Sequence, residues 1–275
     1  MIRAILWKEW HEHRSRFLSY WLILNVPILI VVLTIASGKG ARGPFAELSN
    51  ATVLKYLPLS LLESFLLDTV FLVAAGYLAV AIFNREMEDR SVFFIFEQPV
   101  SRKRYIAIKF LHGACHVAAA TLFAALLAPA VVYAMMLIGG KVTAAGSGAA
   151  FAEVMAAAAR ATIGCSLMAV CAFAACALIA ALAPRFWLAM TASVVLIALY
   201  GSFSSDYFDI PFPTGQPLSV SANMSSQWIN ISRALTPAEV ADFAHWKALP
   251  LLVPALVAVV FCLVTALLYE RKELK

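Results

Sequence analysis

Six stretches of this chain, at 17–37, 60–83, 110–138, 154–183, 186–203 and 248–269, each run 18 residues or more with almost no charge. That pattern limits the fold more than any other feature. Crossing about 30 Å of hydrocarbon takes about 20 apolar residues in a helix. Lipid offers no partner to a backbone N–H or C=O, so such stretches must be helices or a closed barrel. Their length, and the absence of two-residue alternation, select helices. Composition agrees, because 63% of the residues are hydrophobic where soluble domains carry about 45–50%. The expected fold is an all-α integral membrane protein, one transmembrane domain over 1–275 with six spans.

Lysine and arginine orient the spans, since positive loops stay on the cytoplasmic side. With the N-terminus inside, fourteen basic residues fall on inner segments and six on outer ones. Both termini are therefore expected in the cytoplasm. The net charge of +5 lies beside spans, where it faces anionic lipid headgroups or a soluble partner, and does not imply nucleic acid. All five cysteines fall inside spans, where Cys acts as a small apolar residue and no disulfide framework is implied. The first apolar run is as long as a full span and its flank is charged, which reads as a retained anchor.

Residues 1–16 place Ile2, Ile5, Leu6, Trp10 and Phe17 at helical spacing with most charges elsewhere, the pattern of a helix lying in the membrane interface. A solvated leader is the plainer reading. Asn25 and Pro27 in the first span need a packed, inward position where the polar amide and the carbonyl freed by proline find partners. Pro129, Pro250 and Pro254 mark similar kinks. The fourth span is rich in small residues, among them Ala157, Ala161, Gly164, Ala169, Ala172, Cys176 and Ala180. They suit a closely packed central helix or, as the alternative, a subunit interface. Among outer loops, 139–153 is Gly/Ala-rich and expected to be flexible. The 204–247 loop ends in a capping box at Thr236-Pro237-Ala238-Glu239, and reads either as a gate over the outer mouth or as a connector.

Catalytic signatures are absent. No GxxxxGK[ST] loop, GxSxG elbow or HExxH pair occurs in the sequence, so the chain is not expected to hydrolyse nucleotide or to be an enzyme of those types. Intramembrane charges are costly and mark function. Glu63, Asp68 and Arg160 fall in the outer half of the second and fourth spans, where they either pair across helices or snorkel to the interface. His112, Cys115 and His116 stand at neighbouring helical positions, yet two histidines in one helix beside basic residues read as polar fillers, and no metal site is expected. Asn-x-Ser/Thr triplets at Asn50, Asn223 and Asn230 matter only in a eukaryotic secretory pathway.

The inner segment 84–109 has its own logic. Arg85 with Asp89, and Glu86 with Arg90, stand four residues apart, so the second helix is expected to continue beyond the bilayer. Val92-Phe93-Phe94-Ile95-Phe96 is an apolar patch too short to span, followed by a break at Pro99. Such a patch must bury itself in headgroups, in this chain or in a partner's groove. Ser101 can cap the next helix, which carries Arg102, Lys103, Arg104 and Lys109.

Across its whole length the chain resembles the membrane-spanning permease of type-2 ABC transporters. The resemblance rests on the Leu6-Trp7-Lys8-Glu9-Trp10 opening, six spans, the acidic stretch 86–89, and Gln98-Pro99-Val100-Ser101-Arg102 leading to Lys109. It departs where many relatives have a Gly after the acidic turn and this chain has Arg90-Ser91. The resemblance implies a bacterial inner-membrane subunit, an exporter by family, that pairs with a second permease copy or paralogue. ATP and Mg would be bound by a separate cytoplasmic ATPase, with no cofactor in this chain. It also implies a coupling helix at 91–98. There Phe93, Phe94 and Phe96 would fill a groove of the ATPase, while Glu86, Glu88, Arg90, Arg102 and Arg104 supply rim charges and Pro99 and Ser101 set the bend. The rival class is an integral membrane enzyme acting on a lipid or lipid-linked substrate, with Glu63, Asp68 or the two histidines as acid and base.

Overall fold

The computed structural model describes residues 2–36, 69–88, 101–138, 144–183, 185–206 and 248–271. These form six helices: α1 (Ile2–Ala36), α2 (Thr69–Glu88), α3 (Arg102–Ile138), α4 (Ala144–Leu182), α5 (Phe186–Asp206) and α6 (Ala248–Arg271). No strand occurs among the described residues. Each helix coincides with one of the six apolar stretches, because a continuous apolar run gives a helix a buried or lipid-facing side at every turn. Among the described residues one stretch, Arg102–Ala124, is long and apolar enough to cross a membrane by length and composition. Shorter apolar helical stretches lie at Leu72–Asn84, Ser166–Leu182, Phe186–Leu199 and Ala255–Tyr269.

Helix α4 is the centre of the bundle, packed against α2, α3, α5 and α6, while α1 lies to one side against α3 and α2. The alanine-rich sequence explains the position. Ala169, Phe173, Ala174, Cys176, Ala177, Ala180 and Ala181 are all buried, and small side chains let neighbouring backbones come close. Two glycines extend that logic to the partners. A Cβ on Gly113 of α3 would run into the Phe173 ring, and one on Gly76 of α2 would lie 2.9 Å from Cys176 Sγ. Of the small-residue stripe, the part from Ala169 onward is thus spent on packing within the chain.

Two expectations change. The interfacial helix at 1–16 is not a separate element but the first half of α1, continuous with the 17–37 stretch. At 1.5 Å per residue its 35 residues run about 52 Å, well beyond one hydrocarbon thickness. Its inward face carries polar residues. Of the apolar row, Phe17 is buried and Ile5 and Leu6 are half-buried, but Trp10 is exposed, as is Trp7, and the inward places belong to Glu9 and His13. Finally, residues 144–153 of the Gly/Ala-rich loop are helical, the first turns of α4. Alanine has the highest helix propensity, and Ala144, Ala145, Ala149 and Ala150 outweigh the intervening glycines.

Candidate functional site: polar ties at the ends of the 84–109 segment

The residues that flank the 84–109 segment lie in the most polar buried layer of the bundle. Asn84, in the last turns of α2, is fully buried and donates from Nδ2 to Ala180 O at 3.3 Å and Ala183 O at 2.9 Å. The reason is local. The last carbonyls of a helix lack partners, and the residue four places beyond Ala180 is Pro184, which has no N–H to give. The Asn84 amide takes the place of that missing donor. One residue earlier, Phe83 O accepts a hydrogen bond from the buried Tyr269 hydroxyl of α6 at 3.2 Å. Ala81 O accepts another from Arg16 of α1. The end of α2 is therefore tied to α1, α4 and α6.

The start of α3 is tied to α1. Ser101 stands outside the helix, and its carbonyl accepts the first helical hydrogen bond from Tyr105 N at 3.0 Å, the N-cap arrangement. One turn on, the Tyr105 hydroxyl donates to Glu9 Oε1 at 2.8 Å. Glu9 Oε2 lies 3.7 Å from Lys109 Nζ and 3.6 Å from His13 Nε2. Both Glu9 and Lys109 are 1% exposed. Burying a lysine and a carboxylate together is tolerable because each compensates the other's lost hydration. The ammonium also lies 5.5 Å from the Tyr105 ring centre and 5.6 Å from that of Phe83, distances at which aromatic faces attract a cation.

Above this layer, aromatic packing joins α1 to α3. His116 stacks on Phe17 with ring centres 3.9 Å apart and on Trp10 at 5.5 Å, while His112 meets Phe17 edge-on. Among the described residues no group of three or more possible ligands could hold a metal ion. The two histidines are part of an aromatic pile.

The expected site residues fall unevenly around these ties. Ser101, Arg102 and Arg104 open α3, with Ser101 and Arg104 exposed and Arg102 half-buried. Glu86 and Glu88 belong to the last turn of α2. Arg90, Phe93, Phe94, Phe96 and Pro99, like Glu63 and Asp68, lie outside the described residues. Arg160 is in α4, and Asn25 is buried in α1, where its Nδ2 donates to Trp21 O at 2.8 Å. Six residues of the layer were not singled out as site residues from the sequence: Glu9, His13, Arg16, Asn84, Tyr105 and Lys109. A signal existed for Glu9, His13 and Arg16, which with Tyr20 form a row at helical spacing of four, three and four residues. No family model matches this sequence, and no curated protein matches it.

Proposed function

We propose that this chain is the permease subunit of an ATP-driven ABC transporter, an exporter formed with a second copy or paralogue, and that 84–109 is where a cytoplasmic ATPase pushes. All six helices then span a bacterial inner membrane with both termini inside. The observation that carries this reading is the fixing of both ends of the segment by buried polar ties to α1, α4 and α6. A displacement of the segment cannot be absorbed at its ends; it must move the helices. The outward apolar side chains agree with lipid as the surrounding solvent. Leu18, Leu22, Leu111, Phe123, Trp187, Leu199, Leu256 and Leu263, spread over α1, α3, α5 and α6, are all exposed, as side chains facing lipid would be. Fourteen basic residues on the proposed inner segments set the orientation.

In this mechanism, ATP and Mg in the partner close two ATPase subunits together. The segment follows through Phe93, Phe94 and Phe96 seated in an ATPase groove, and Glu86, Glu88, Arg90, Arg102 and Arg104 set the docking angle. Purification of the native complex tests the reading. It should bring down an ATPase, and Phe93→Asp with Phe94→Asp should release that subunit and abolish stimulated turnover. A chain that purifies alone and acts on a lipid would instead be an enzyme.

A further inference from the structure

We infer that Glu9 is a positioning residue that sets the spacing between the two arms of the coupling segment by locking both to α1. As whole helices α2 and α3 touch each other only slightly, whereas α1 packs on both. Besides the direct approach of the Lys109 ammonium to the Phe83 ring, the arms are joined by a chain of contacts carried by α1. Tyr105 and Lys109 of α3 meet the two oxygens of Glu9. Glu9 Oε2 faces His13 Nε2 at 3.6 Å, His13 Nδ1 is 2.8 Å from Arg16 Nη1, and the same Nη1 donates to Ala81 O of α2.

The direction of every link follows from chemistry. Arginine has only donors, so His13 Nδ1 accepts from Arg16, and a neutral ring then carries its proton on Nε2, the nitrogen 3.6 Å from Glu9 Oε2. Glu9 and His13 are both nearly inaccessible. The chain therefore runs through a layer where water does not compete and where electrostatic contacts are strongest. Such a chain of directional polar contacts between helices fixes geometry more tightly than apolar surfaces, which can slide.

The consequence rests on the permease reading: with Glu9 intact, the two arms move as one piece when the ATPase closes; without it, they move separately. Hydrogen–deuterium exchange on the full chain, alone and with its ATPase, reads both parts. In the chain alone, Glu9→Gln should speed exchange across residues 102–109 at least tenfold and leave α5 unchanged. In the complex, adding a non-hydrolysable ATP analogue should alter exchange at both 81–88 and 102–109 in wild type, but at only one arm in Glu9→Gln. Unchanged exchange in the isolated variant, or arms that still respond together, overturns the inference. If no ATPase associates at all, the permease reading falls while the first comparison still decides the clasp. Should Glu9→Gln fail to fold, Tyr105→Phe gives the same comparison with one link removed and the Glu9–Lys109 pair left intact.

Discussion

Replacing Gly113 with alanine sets two opposing effects against each other, and the geometry says which wins. In a helix interior, alanine is favoured over glycine by about 1 kcal/mol. The new methyl group, however, would lie 3.0 Å from Phe173 Cε2 and 3.2 Å from Cε1, and closer still to Cζ at the tip of the ring. The ring has nowhere to go. It is fully buried and held by Phe110 and Phe83, with ring centres 5.5 and 6.2 Å away. Forcing a methyl group into a filled site costs about 1–3 kcal/mol, and the overlap with the ring is close enough to put this site at the upper end, so Gly113→Ala should destabilise by a net of about 2 kcal/mol despite its better propensity. Thermal unfolding of the purified protein measures this. Phe173→Leu, which trims the ring, should remove the penalty, so that Gly113→Ala in that background costs less than it does alone. A Gly113→Ala protein that melts at or above the wild-type temperature would refute the close approach of α3 to α4.

Asn84→Leu should cost about 2 kcal/mol, because Ala180 O and Ala183 O lose their donor, and Asn84→Asp should cost more by placing a carboxylate against two carbonyl oxygens; thermal unfolding ranks the pair. Glu9→Gln should cost about 3–5 kcal/mol by leaving Lys109 buried without the facing carboxylate, and Lys109→Met added to it should recover part of that loss in the same assay. If Arg160 pairs across helices with Glu63 or Asp68, Arg160→Glu should abolish transport, with recovery on Glu63→Arg or Asp68→Arg; no recovery from either removes the pairing.

The helices were legible because long uncharged runs without two-residue alternation favour helices over strands, and a helix lies on each of them among the described residues, with 60–68 of the second run outside those residues. The central position of α4 was legible for the same kind of reason, since alanines and cysteine at helical spacing have little use except close packing. The inward face of α1 was not. The interfacial pattern accounts for Trp7 and Trp10, which are exposed, but it carried no sign that Glu9 and His13 turn inward. Glu9 and Lys109 lie 100 positions apart in the sequence, and nothing local announces that they meet. Asn84 carried a faint signal in the Pro184 that ends α4, but a proline shows only that a carbonyl needs a donor, not which residue supplies it.

A photo-cross-linking amino acid at position 94, activated in intact cells, tests most directly whether a motor pushes on this bundle through its second inner segment. The account predicts a covalent adduct with a cytoplasmic ATPase, lost when Phe93 becomes aspartate. An adduct with no nucleotide-binding protein, or labelling of position 94 by a membrane-impermeant reagent added outside the cell, would contradict it.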